Sequence, residues 1–285
     1  MHRQHNAGSA VSVYTRIPLT GTLAIAVLTI LCASSAPVHA QDMPRSCPSA
    51  AAIRDGEHAG TRASEADSDM RASVASADMA PAAARTEVDS ARSLIRVIAG
   101  PYHIAPGAMA HLHDAAMDAT VLRFVWPVNG WLRGYQVLLC DAEAQGTEPM
   151  SRQMLHHAGL ANFSRRQLVY PMVERLLAVG SETDNVLLPP GVGVPLQRGD
   201  TLGIYAGLHG SNGAGTNRAY LIVTMPWTRP RRHGPIQVLP FYVDVNNVIG
   251  GTTAFDVPPG PTVRSAVFVM PIGGRLLGIG GHMHD

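Results

Sequence analysis

The chain carries 13 histidines and no lysine, its 22 basic residues all being arginine. An imidazole is neutral near physiological pH and serves both as a nitrogen ligand for metals and as a proton carrier. The missing lysine excludes a phosphate-cradling lysine loop, a Schiff-base site and a Ser-x-x-Lys acyl-transfer site. No Gly-x-Ser-x-Gly elbow occurs, and few glutamates follow Ala158 to form a catalytic carboxylate pair, so a hydrolase is a distant reading. The chemistry is therefore sought among the histidines.

Five of them stand in patterns that suit metal binding. His282 and His284 sit at His-x-His spacing; on a strand they share a face with Cα atoms about 6.5–7 Å apart, and Leu277, Ile279 and Met283 take the other face. His156 and His157 are adjacent, so a regular strand would point them apart. Both reach one ion only if the backbone bulges there, which Gly159 encourages. His209 ends the run Thr201–His209, opposite the stripe Leu202, Ile204, Ala206 and Leu208 and on the side of Gly203, Tyr205 and Gly207. For each group the competing reading is an ordinary exposed or hydrogen-bonded histidine. His111 and His113 repeat the His-x-His spacing beside Met109 and Met117 in a stretch of weak strand character, and read as a linker pair. His58, His103 and His233 have no clustered partners. Imidazoles without thiolates or a carboxylate cluster suit copper or zinc, and composition leaves that choice open.

The elements that must position these residues read as strands. Apolar runs at Leu94–Ile98, Val121–Trp126, Trp131–Cys140, Thr201–His209, Arg218–Met225, Val263–Met270 and Arg275–His284 are separated by Gly- and Pro-rich turns. No comparably clear helical period lies between them, so the body is expected to be all-β, a sandwich or barrel. Thr228–Gly234 reads as a connector between two such bodies. The second has only about 50 residues, fewer than the roughly 100 that usually close a core, and its final residues read as a strand in progress. The chain is thus expected to be C-terminally incomplete.

Ahead of the body, residues 17–35 form a short apolar stretch flanked by Arg3 and Arg16 and followed by Val38-His39-Ala40, the three parts of a secretory signal cleaved after Ala40. An uncleaved anchor is the competing reading, but Thr, Ser and Pro thin the stretch below the roughly 20 residues a span needs. Secretion or a periplasmic location follows. Cleavage removes two arginines and leaves a formal charge of −1. That balance argues against nucleic acid or an acidic membrane as partner and for a small-molecule or peptide substrate. Cys47 and Cys140 remain after cleavage, and one disulfide between them is allowed in an oxidising compartment. Residues 41–93 are rich in Ala, Ser, Asp, Arg and Glu and are expected to form a disordered leader. The first β-sandwich is expected over 94–230, its start falling between 94 and 119, and the beginning of the second over 231–285.

The ordered series of His156-His157, Leu188-Pro189-Pro190-Gly191-Val192-Gly193 leading to His209, and His282-Met283-His284 resembles the copper type II, ascorbate-dependent monooxygenases. That family includes peptidylglycine α-hydroxylating monooxygenase and dopamine β-monooxygenase. The resemblance runs from Trp126 to Asp285 and implies two jelly-roll-like β-sandwich domains, each offering one copper site. It assigns His156, His157 and His209 to an electron-storing copper, and His282 and His284 to two of three ligands of the oxygen- and substrate-binding copper, with ascorbate as reductant. The metals carry the redox chemistry and the protein sets ligand type and access. Two features depart from the family: no methionine follows at the place of the third ligand, Met283 lying on the opposite strand face, and the aliphatic run and cysteine after the His-His pair are replaced by Ala158-Gly159-Leu160-Ala161-Asn162. A monooxygenase-like protein without hydroxylation by this chain is the expectation; the alternative is a non-catalytic copper- or zinc-binding β-sandwich or interaction module.

Overall fold

The structure, a computed structural model, describes residues 10–15, 43–49, 52–53, 83–103, 109–110, 121–141, 147–183, 185–209, 218–230, 234–245, 259–261 and 263–280. The apolar segment 17–35 and Ala40 lie outside these residues. Among the described residues no helix is long and apolar enough to cross a membrane. The chain divides into a larger unit, residues 35–164 and 175–238, and a smaller one, residues 1–34, 165–174 and 239–285.

The larger unit holds two sheets, which makes the body all-β as expected. One has eight strands: β2 (Ala83–Asp89), β3 (Leu94–His103), β6 (Gly130–Leu132), β7 (Gly134–Asp141), β10 (Val186–Leu187), β11 (Val192–Leu196), β13 (Arg218–Thr228) and β14 (Ile236–Gln237). Its path is β10-β7-β13-β6-β11-β14, with β3 also on β13 and β2 on β3. The other sheet has five: β4 (Met109–Ala110), β5 (Leu122–Val125), β8 (Leu155–Arg166), β9 (Val173–Gly180) and β12 (Thr201–His209), in the order β4-β12-β8-β9 with β5 also on β12. Alternation along each strand sends one set of side chains inward. Ile95, Val97 and Ala99 of β3, Val137 and Leu139 of β7, and Leu221, Val223 and Met225 of β13 meet Leu155, Ala158 and Leu160 of β8 and Leu202, Ile204, Ala206 and Leu208 of β12 in one core cluster.

A second apolar cluster lies on the other face of the eight-stranded sheet, made by Ile98, Cys140, Tyr220 and Ile222 with Cys47 and Ile53. Cys47 and Cys140 form a disulfide, their Cα atoms 5.8 Å apart. The Cys47 amide donates to Thr147 O at 2.7 Å, and Arg85 Nη2 donates to Ala52 O at 2.9 Å. The expected leader is therefore structured in part: Met43, Cys47 and Ile53 are buried, and β2 pairs along β3 over seven residues. Average composition hid this because a few apolar residues and one covalent link suffice to anchor a polar segment.

Other differences are local. The run Trp131–Cys140 breaks at Arg133 into β6 and β7, because Gly134 has φ 149°, a conformation that favours glycine, and a side chain there would collide with the Val186 carbonyl. The connector expected at Thr228–Gly234 does not end the larger unit, which continues through β14, paired with β11, to Val238. In the smaller unit β1 (Ala10–Thr15) pairs in parallel with β15 (Val263–Phe268). Arg275–Gly280, expected to begin a strand, forms none. Leu276, Leu277 and Ile279 are exposed there, and a Cβ at Gly278 or Gly280 would meet nothing within 4 Å, so the sequence pattern has no neighbour to pair with among the described residues.

Candidate metal site

β8 begins after a 3-10 turn at Arg152–Met154, where Ser151 Oγ accepts from the Gln153 amide. The Arg152 guanidinium donates to the carbonyls of Val137 at 3.1 Å and Gly180 at 3.3 Å, and to that of Thr183. These contacts tie the start of β8 to β7 and to the end of β9. The two histidines that follow therefore stand on a fixed strand end.

From Leu202↔Asn162 to Gly207↔His157 the β12–β8 register is regular, and then Leu208 pairs with Leu155. One step on β12 spans two on β8, so His156 is the extra residue of a β-bulge. The core reports the same thing: Leu155 and Ala158, three residues apart, both join the inward cluster, which strict alternation forbids. The bulge is the condition under which adjacent histidines act together. Their ring centroids are 4.8 Å apart with planes tilted by 58°, and both residues are buried.

His157 lies over Gly207, the residue directly opposite; a Cβ at 207 would stand 3.0 Å from its Cε1 and 3.3 Å from its Nε2. Tyr205 lies over Gly159, also directly opposite, where any Cβ would collide with Cζ and Oη of the phenol. The rings of His157 and Tyr205 meet edge-on with centroids 6.3 Å apart. Tyr205 and the two glycines were absent from the residues singled out as ligands. Their signal is positional, since Gly203, Tyr205 and Gly207 alternate with the apolar stripe of β12 and so share its outward face.

His209 is the last residue of β12, opposite Met109 of β4 and two residues beyond Gly207. By strand alternation its backbone position belongs to the outward face that carries Gly207 and, across the register, His157. The side chain of His209 lies outside the described residues, as do those of His103 and Met109. His58, His111, His113, His233, His282 and His284 lie outside them altogether. Among the described residues no group of three or more His, Cys, Asp and Glu side chains that could hold a metal occurs. Described side chains thus supply an adjacent imidazole pair, and the backbone register puts a third histidine on the neighbouring strand. An adjacent imidazole pair on a buried bulge offers the nitrogen donor type that copper and zinc accept.

No protein-family model, curated protein or solved structure matches the chain.

Proposed function

We propose that the chain is an exported copper protein of the copper type II, ascorbate-dependent monooxygenase kind, its larger unit a jelly-roll-like β-sandwich that binds copper through His156, His157 and His209. The observation that carries the reading is the bulge at His156, which sets two buried imidazoles side by side where a regular strand would separate them. Copper supplies one-electron redox chemistry when bound. The chain's own contribution is to hold the imidazoles: Arg152 fixes the strand end, Gly207 leaves room for the His157 ring, and the core residues Leu155 and Ala158 lock the bulge in register. In the full reaction a substrate C–H bond, dioxygen, two electrons from a reductant such as ascorbate and two protons give C–OH and water. His282 and His284 are the proposed ligands of the second copper, where a small-molecule or peptide substrate reacts.

A second reading, a non-catalytic exported copper- or zinc-binding β-sandwich or interaction module, is favoured by the exposed and unpaired stretch Arg275–Gly280 that leads to His282 and His284. Titration of the purified chain with Cu(II), followed by electron paramagnetic resonance and metal analysis, tests both. The expected result is a type II signal with nitrogen coupling, reduced copper uptake in His156→Ala, His157→Ala and His209→Ala, and little hydroxylated product with ascorbate and oxygen. No type II signal at saturating Cu(II), or unchanged copper content in the His209→Ala chain, overturns the copper assignment; preferential tight zinc binding selects the second reading.

A further inference from the structure

Across the β8–β12 pair, two large rings and two glycines interlock reciprocally. Tyr205 of β12 lies over Gly159 of β8, and His157 of β8 lies over Gly207 of β12. Each ring occupies the space that a side chain on its directly opposed partner would fill, so both are held against backbone on one side. The two rings then meet edge-on, 6.3 Å between centroids and 65° between planes, an arrangement aromatic quadrupoles favour. His157 is buried, and Tyr205 is half-buried. Rotation of the His157 imidazole about its side-chain bonds is thus limited by Gly207 beneath it and Tyr205 beside it.

We propose that Tyr205 is a positioning residue for the His157 imidazole, fixing the ring orientation in which it pairs with His156 and thereby preorganising the metal site. The proposal rests on the reading of that pair as metal ligands. Orientation set before binding raises affinity because less side-chain freedom is lost when the metal arrives. The flat ring supplies the contact; the phenolic hydroxyl is dispensable. Tyr205→Phe therefore retains the positioning, and Tyr205→Leu, which keeps apolar cover on the strand without a ring, loses it.

Two measurements on the full chain test this. Without metal, the His157 Cε1–H and imidazole nitrogen resonances should shift and broaden in Tyr205→Leu and stay close to the parent in Tyr205→Phe. With copper, Tyr205→Leu should lower affinity about tenfold, the scale on which groups supporting a ligand act, and alter the Cu(II) resonance parameters, while Tyr205→Phe restores both. His157 resonances and copper parameters that are the same in Tyr205→Leu and the parent overturn the proposal. Should Tyr205→Leu not fold, Tyr205→Met replaces it, with the same expected shifts and the same overturning result. Failure of the parent chain to bind copper strikes the metal reading, and the metal-free resonances still decide whether Tyr205 orients the ring.

Discussion

From Leu155 to Asn162 eight consecutive residues of β8 are buried, and β12 pairs along them, whereas Val269, Ile272, Leu276, Leu277 and Ile279, which follow β15, are 48–80% exposed. Both stretches lead into or contain a histidine pair. In β8 the pair belongs to a strand that has β12 and β9 as neighbours on its two sides, with its register on β12 fixed, and whose first turn is tied down by Arg152. After β15, Gly273, Gly274, Gly278 and Gly280 would each offer a Cβ nothing within 4 Å. A two-residue repeat places side chains on one face only when hydrogen-bonded neighbours hold the chain extended. Adjacent residues, which alternation separates, are brought together when a paired strand takes up an extra residue.

The largest expected effect comes from removing the Cys47–Cys140 link. The link joins residues 93 apart in sequence and ties the segment that carries Cys47 to β7 within the larger unit. Closing a loop of that length stabilises the fold by about 4–5 kcal/mol in the chain-entropy picture, so Cys47→Ser with Cys140→Ser should lower the urea midpoint steeply. A loss below about 1 kcal/mol would mean that the segment is held by its apolar contacts alone. Next, Leu160→Ala, at a fully buried position of β8, should cost about 2–5 kcal/mol. Leu277→Ala, at a position 49% exposed, should stay within about 0.5 kcal/mol. Equal losses in the two variants, read from urea unfolding, would break the contrast between the regions.

Where local pattern and tertiary pairing agreed, the sequence was legible. Thr201–His209 is a strand over the same residues, and its stripe Leu202, Ile204, Ala206 and Leu208 does face the core. Leu122–Val125 and Val263–Phe268 likewise fall inside their apolar runs. β8 escaped notice because Ala158, Gly159, Ala161 and Asn162 carry little strand preference; its partners on both sides, not its composition, make it a strand. β9 reads Val-Glu-Arg-Leu-Leu-Ala-Val-Gly, a composition equally suited to a helix, and the sheet decides. The need for a bulge at the histidine pair was legible from alternation alone. The reciprocal fit of His157 on Gly207 and Tyr205 on Gly159 was not, since it depends on which residues stand opposite each other across strands more than forty residues apart.

A smaller effect than those of the disulfide and of Leu160 contrasts the tyrosines of the two units. In the smaller unit, Tyr242 Oη donates to Asp244 Oδ2 at 2.9 Å, and Tyr170 Oη accepts from the Asp244 amide at 3.2 Å. In the larger unit, Tyr102 is buried in the main core cluster, and its hydroxyl has no hydrogen-bond partner among the described residues. Removing a satisfied hydroxyl and removing an unsatisfied buried one act in opposite directions. Tyr242→Phe should cost about 1 kcal/mol, whereas Tyr102→Phe should be neutral or stabilising by up to about 1 kcal/mol at pH 7. Burial also pushes the Tyr102 hydroxyl well above its ordinary range, because the phenolate cannot be solvated there. The fold thus favours the neutral phenol: its contribution is fully present below the unfolded-state value of about 10 and is lost as pH rises from there toward the folded-state value. Unfolding midpoints measured from pH 8 to pH 11 should therefore fall less steeply in Tyr102→Phe than in the parent. Parallel curves would show that Tyr102 does not carry the alkaline loss, and would shift attention to Tyr135, whose hydroxyl burial raises and the nearby Arg152 cation lowers.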